Sequence, residues 1–266
     1  MLELGHGFRA VDVHTRLDPG DDPPADRGRV VAPERLEREL HQAGIVRAVA
    51  VSGPRDRGYL AANNAVARLC VDRPLVAFAR LDGPRSPGSR VPSLVSGRES
   101  YHASAADVQE FAYDERFHGF ALHPARDGLP GSDVLDALAA AGLPVLAGCG
   151  AEFPPAAAAE HLTGRGFPVV LATFGGDPLD RAAMHEAVDL CETTDRLYLE
   201  TTAVRYRDVL ERALAEHPDR VLFGSGAPAV HPNVAVMELL TCSVPENVMR
   251  RAFDANASRV VPALGP

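Results

Sequence analysis

Short apolar segments alternate with helical segments along almost the whole chain of 266 residues. The apolar segments have the length of strands, and Gly or Pro ends several of them. Strands that are joined through helices form right-handed crossovers, and therefore a parallel sheet. Eight such units in a chain of this length predict a single (β/α)8 TIM barrel, and we assign residues 1–266 to one domain. The predicted strands are 10–16, 45–52, 75–81, 117–124, 144–147, 168–172, 197–201 and 221–224.

Composition excludes several classes of function. The formal net charge of −9 argues against a nucleic-acid-binding surface. No apolar run is long enough to span a membrane and no N-terminal signal segment is visible, so we expect a cytoplasmic protein that does not act at membranes. The four cysteines lie far apart and form no C-x-x-C pair, which predicts neither a cysteine-rich zinc site nor a disulfide framework.

The chain contains no lysine, and all 27 of its lysine-plus-arginine residues are arginine. Arginine stays protonated and is not an amine nucleophile. Schiff-base chemistry on lysine and a carboxylated lysine that bridges two metals are therefore excluded.

Polar residues alternate with apolar ones in the first strand. Asp12, His14 and Arg16 are two residues apart, so we expect all three side chains on one face. A parallel strand is normally buried on both faces, and polar groups there need an explanation. They either form a site or a hydrogen-bonded network that only supports the barrel, and the position near the end of the strand favours a site.

The carboxyl ends of the strands build the active sites of TIM barrels. We expect catalytic roles for four residues near these ends and substrate-binding roles for four others, and we assign no metal ligand. The catalytic candidates are His14, Arg16, His123 and Glu200. The substrate-binding candidates are Arg80, Cys149, Thr173 and Ser225. A separate feature is the irregular stretch from Pro84 to about His102, which is long enough to be a lid, a binding loop or a disordered segment.

Six segments resemble, in order, the motifs of a known family. They are D-V-H-T-R at 12–16, G-F-A-L-H-P at 119–124, G-L-P-V-L-A-G-C-G at 142–150, A-T-F-G-G at 172–176, R-V-L-F-G-S-G-A-P at 220–228 and N-A-S-R-V at 256–260. This set is similar to the amidohydrolase superfamily, specifically its amidohydrolase-related (type 2) branch. The resemblance covers nearly the whole chain and implies a TIM barrel with hydrolase or decarboxylase relatives.

The same resemblance implies a metal site from which this chain departs. The family binds a divalent metal through two histidines of the first strand, one histidine each on strands five and six, and an aspartate on strand eight. Of these ligands the chain keeps only His14, and the other places hold Arg16, Gly148, Thr173 and Gly226. We therefore expect no cofactor, with a single divalent metal such as zinc on other ligands as the alternative.

Three functions are compatible with these residues, and the sequence leaves open whether the chain is an enzyme. The first is metal-independent hydrolase or lyase chemistry on a small anionic molecule, or binding of such a molecule. The second is a genuine metal-dependent hydrolase or decarboxylase with non-standard ligands, and the third is a non-catalytic binding barrel. In the first, Arg16 holds an anion, which is either a ligand or an internal carboxylate from Asp12, Asp18 or Glu200. Formation of a homo-oligomer is also left open.

Overall fold

Eight parallel strands form one sheet in the order of the sequence. The computed structural model describes residues 5–18, 29–54, 58–84 and 102–266. The strands are β1 Ala10–Leu17, β2 Ile45–Ser52, β3 Leu75–Leu81, β4 Phe117–Leu122, β5 Val145–Gly150, β6 Val169–Asp177, β7 Leu197–Glu200 and β8 Val221–Leu222.

Hydrogen bonds between β1 and the chain after β8 close the sheet into a barrel. The amide of Val13 donates to the carbonyl of Phe223 over 2.9 Å, and the amide of Gly226 donates to the carbonyl of His14 over 2.9 Å. The amide of Arg16 donates to the carbonyl of Ala227 over 2.7 Å. The predicted (β/α)8 TIM barrel is thereby confirmed.

Helices follow the strands and cover the outside of the barrel. They are α1 Pro33–Gln42, α2 Leu60–Cys70, α3 Ala105–Tyr113, α4 Pro124–Asp127, α5 Ser132–Ala141, α6 Pro155–Leu162, α7 Arg181–Thr193, α8 Arg207–Glu216, α9 Pro232–Leu240, α10 Glu246–Arg250 and α11 Asn256–Val260. A π-helical segment, Arg251–Ala255, joins α10 to α11. Of these helices in the described ranges, none is long and apolar enough to cross a bilayer.

Local sequence sets several of the helix ends. Ser104 and Asp107 form a capping box, with Ser104 Oγ accepting the amide of Asp107. Asp180 caps α7 by accepting the amides of Ala182 and Ala183. Ser132 is the first helical residue of α5 and makes no side-chain cap.

Two layers of apolar side chains lie on either side of the strands. The inner layer fills the barrel, and its members include Val11, Val13, Val49, Val51, Val76, Phe78, Ala121, Leu146, Val170, Ala172 and Leu222. The outer layer packs the strands against the helices, and Ala10, Leu17 and Cys149 belong to it. This assignment tells which residue of each strand faces the barrel interior, because the side chains alternate.

A bulge in β1 changes the predicted alternation. Asp12 pairs with Ala48 and Thr15 with Ala50, so β1 has one more residue than β2 over this stretch. Val11 and Val13 face the interior, and the predicted common face of Asp12, His14 and Arg16 is wrong because the bulge interrupts the period of two. Residues 85–101, most of the predicted long loop, lie outside the described residues.

Candidate active site

The inner face of the barrel continues upward from apolar to polar residues at the carboxyl ends of the strands. Arg80 follows Phe78 by two residues on β3, and His123 lies two residues after Ala121 at the end of β4. Glu200 ends β7. Together with His14, which lies within the β1 bulge, these residues form what we call the mouth: His14, Arg80, His123 and Glu200.

His14 and Glu200 form a hydrogen-bonded pair at the centre of the mouth. Nδ1 of His14 lies 3.0 Å from Oε1 of Glu200, and the side chains are 29% and 0% exposed. Burial by itself lowers the pKa of His14, but the charge and hydrogen bond of Glu200 outweigh it, and the pKa of His14 is raised. The pair therefore holds an imidazole that readily takes up a proton and leaves its Nε2 for other contacts.

Backbone amides hold Glu200 in its ionised form. The amide of Thr173 donates to Oε1 over 2.9 Å, and the amide of Thr202 donates to Oε2 over 2.8 Å. Burial alone would raise the pKa of Glu200. The charge and hydrogen bond of His14, together with the hydrogen bonds of Thr202, lower it by more, so the net shift is downward. Thr173 thus contributes its amide to the site, in a left-handed backbone conformation with φ of 54°.

Asp12 lies behind the pair and joins the two ends of the sheet. Its Oδ1 accepts the amide of His14 over 2.9 Å and that of Ser225 over 3.0 Å. Burial raises the pKa of Asp12 to about 6, although the hydroxyl and amide of Ser225 act in the opposite direction. Ser225 is itself buried, and its Oγ accepts the amide of Ala227, so the structure shows it supporting Asp12.

The ring of His123 lies against Gly148 of the neighbouring strand β5. A Cβ built on Gly148 would be 2.6 Å from Cδ2 and 3.1 Å from Nε2 of His123, so the imidazole ring occupies the space of a side chain at position 148. Nδ1 of His123 is buried and has no hydrogen-bond partner among the described residues. Burial, followed by the charge of Arg80, lowers the pKa of His123.

Arg80 is held by a buried network. Its Nε and Nη2 donate to Oδ2 of Asp127 over 2.8 and 2.7 Å, and its Nη1 donates to the carbonyl of Ser52 over 3.2 Å. Tyr59 donates its hydroxyl to Oδ1 of Asp127 over 2.8 Å, and its ring lies 4.9 Å from Cζ of Arg80. The positive charge of Arg80 still acts in the mouth, since it opposes the rise in the pKa of His14 and adds to the lowering of the pKa of His123.

Two other predicted residues lie away from the pair. Arg16 places its Nε 3.1 Å from Oδ2 of Asp18, which is one of the internal carboxylates considered above. Cys149 belongs to the outer layer, and burial raises the pKa of its thiol to about 12. The structure therefore directs Arg16 to an internal partner and Cys149 away from the mouth.

Asp127 and Thr202 were not among the predicted site residues. Asp127 follows His123 by four residues and Thr202 follows Glu200 by two, so each comes soon after a strand end. Both residues could have been found from the sequence because they closely follow candidate residues at strand ends, and the loops after the strands carry the polar groups of such barrels.

The residues at the substituted positions do not fit the metal site that the family motif implies. The ring of His123 fills the space at Gly148, and Arg16 places a permanent positive charge at the second position of the motif. A Cβ at Gly226 would lie 2.5 Å from Cγ2 of Thr202. In the described part of the chain, one group of three ligating side chains has its donor atoms within 4.8 Å, and it lies at the ends of α7 and α8, away from the mouth: Glu192, Glu216 and His217.

Fold and mouth together define a TIM barrel with a hydrogen-bonded histidine–glutamate pair at the carboxyl ends of its strands. No family model matches the chain, and no curated protein matches it by sequence. Solved structures do match over nearly the whole length. A 2,6-dihydroxybenzoate decarboxylase from Rhizobium has a TM-score of 0.69 at 14% identity and covers 97% of this chain and 100% of its own.

Two further structures have the same fold. A 5-carboxyvanillate decarboxylase from Novosphingobium aromaticivorans, complexed with manganese and 4-hydroxy-3-methoxy-5-nitrobenzoic acid, has a TM-score of 0.65 at 11% identity and covers 98% of both chains. A probable 2-pyrone-4,6-dicarboxylic acid hydrolase from Acinetobacter baumannii with bound citric acid has a TM-score of 0.63 at 14% identity and covers 96% of this chain and 100% of its own. The predicted resemblance to amidohydrolase-related barrels is confirmed at the level of the fold.

The expectation of no cofactor is contradicted by these structures. The 5-carboxyvanillate decarboxylase holds manganese in a barrel that overlaps this chain over 98% of its length. The sequence has Arg16, Gly148, Thr173 and Gly226 where the family motif has ligands, and these substitutions do not justify the expectation that no metal is taken up. A metal can be held by ligands other than those of a motif.

Proposed function

We propose that the mouth binds a small carboxylate-bearing molecule and that His14, oriented by Glu200, transfers a proton during the reaction of that molecule. The observation that carries this proposal is the 3.0 Å contact between Nδ1 of His14 and the fully buried carboxylate of Glu200. A carboxylate on one nitrogen of a histidine fixes the ring and directs the other nitrogen outward. The raised pKa of His14 makes it a proton donor near neutral pH.

Decarboxylation is the reaction class that best uses such a donor. The bond between the substrate carbon and its carboxylate breaks, carbon dioxide leaves, and the electron pair remains on the carbon. A proton from His14 then completes the product, and solvent restores the proton to His14. The two decarboxylases described above carry the names of aromatic carboxylates, which supports this class for the proposal.

Electrostatics in the mouth suit an anionic ligand. A protonated His14 is a charged donor, and the positive charge of Arg80 acts on both His14 and His123, although Glu200 outweighs it at His14. Hydrogen bonds from a charged donor to a carboxylate are the stronger kind. Hydrolysis of a carboxylate-bearing substrate is the second candidate, and the neighbour named as a probable dicarboxylic acid hydrolase with bound citric acid favours it.

An activity screen tests the proposal. The purified protein, with and without added manganese, is incubated with benzoates that carry hydroxyl groups and with cyclic esters that carry carboxylates, and carbon dioxide and ring opening are measured. We expect turnover of a carboxylate that falls by about 10²–10⁴ in His14→Asn and strongly in Glu200→Gln. His161→Asn, on the exposed face of α6, is the matched control. Turnover that survives His14→Asn, or binding without any turnover, would contradict the proposed chemistry.

A further inference from the structure

A glycine and a histidine on neighbouring strands form one unit in the mouth. Gly148 on β5 has no side chain, and the ring of His123 lies in the space that one would take, with Cδ2 2.6 Å and Cγ 3.0 Å from a Cβ built there. Real Cβ atoms do not approach a ring so closely, so any residue other than glycine would displace the imidazole. The position of His123 is thus set by a residue that makes no polar contact itself.

This arrangement fixes the position of Nδ1 of His123, which is buried and has no hydrogen-bond partner among the described residues. Buried polar groups are nearly always paired, and an unpaired one costs free energy or serves a ligand. The charge of Arg80 acts on this ring.

We propose that Gly148 seats the His123 ring and that Nδ1 of His123 donates a hydrogen bond to the carboxylate of the bound ligand, which makes His123 a specificity-determining residue. The ligand half of this inference rests on the proposed function, and the seating half does not. A neutral imidazole carries one N–H, and burial together with Arg80 keeps His123 neutral at ordinary pH. In this arrangement Arg80 contributes positive charge near the ligand, and His123 fixes the orientation of the ligand carboxylate.

A double-mutant cycle without ligand tests the seat. Gly148→Ala should lower the melting temperature of the otherwise unchanged protein, because its methyl group meets the His123 ring. The same substitution should cost little in a His123→Ala background, where the ring is gone, so the two effects are not additive. Gly5→Ala, where a Cβ has nothing within 4 Å, is the control. Additive effects of Gly148→Ala and His123→Ala would overturn the seating.

Binding of benzoate and 2,6-dihydroxybenzoate, measured by titration calorimetry, tests the hydrogen bond. The amide of asparagine can take the place of Nδ1, whereas that of glutamine takes the place of Nε2. We expect His123→Asn to keep the affinity within about threefold, and His123→Gln and Gly148→Ala to lose about tenfold or more. Equal losses in the Asn and Gln variants would overturn the role of Nδ1. Absence of binding to the wild-type protein would overturn the proposed function and this ligand contact together, while the cycle still decides the seat.

Discussion

Carboxylates at the residue scale set the protonation of the mouth. Glu200 is buried, accepts two backbone amides and contacts His14, so it stays ionised and raises the pKa of the imidazole. Asp12 is equally buried, but among the described residues no cationic side chain hydrogen-bonds to its carboxylate, and its pKa is raised to about 6. Two carboxylates of similar burial therefore have opposite shifts, because their neighbours differ.

Removal of the Glu200 charge should invert the shift at His14. In Glu200→Gln the burial of His14 is no longer outweighed, and we expect the pKa of His14 to fall from above to below its ordinary value. A titration followed by the nitrogen signals of the histidine ring measures this. An unchanged pKa would mean that Glu200 does not control the protonation of His14.

The pH dependence of stability should reveal Asp12. Its pKa is raised from 3.8 to about 6 in the folded state, so the folded protein binds more protons than the unfolded one between these values. Stability from this group is therefore lost as the pH rises through that window, by roughly 3 kcal/mol. We expect Asp12→Asn to gain about that amount relative to the wild-type protein between pH 4 and pH 7. Urea unfolding at both pH values checks it, and a difference that does not change with pH would contradict the shift.

At the scale of elements, a buried ion pair links β3 to the short helix α4. Arg80 comes from β3 and Asp127 ends α4, and their side chains are 8% and 1% exposed. The predicted bounds of β2 and β3 agree with the structure, since long apolar runs between Gly and Pro define a strand well. The network was not predictable, because the partner of Arg80 lies 47 residues away and only the barrel brings it close.

Loss of the carboxylate from this pair should be costly. Asp127→Asn leaves a buried guanidinium without its counter-charge, and we expect a loss of about 3–5 kcal/mol in the free energy of unfolding. Asp136→Asn is the matched control, because Asp136 pairs with Arg165 at 3.2 Å but is 74% exposed. That surface pair should contribute less than about 1 kcal/mol. Similar losses in both variants would show that burial does not govern the cost.

At the scale of the whole molecule, the repeated strand and helix pattern was sufficient to predict the barrel. The alternation of side chains along a strand accounts for the inward positions of Arg80 and His123, each two residues beyond an apolar interior residue. The same rule wrongly placed Asp12 on the face of His14 and Arg16, because the bulge in β1 adds a residue that the local sequence pattern does not predict. It also could not tell that Arg16 turns to Asp18 and that Cys149 faces the helices.

The central claim is that the mouth recognises a carboxylate through its histidines. The most direct measurement is a titration of the isotope-labelled protein with benzoate, 2,6-dihydroxybenzoate and citrate, followed by the ring nitrogen signals of all histidines, with benzamide as the uncharged control. We expect shifts at His14 and His123 with carboxylates, and none at His161 on the exposed face of α6. Carboxylates that leave the signals of His14 and His123 unchanged, or that shift only exposed histidines, would contradict it.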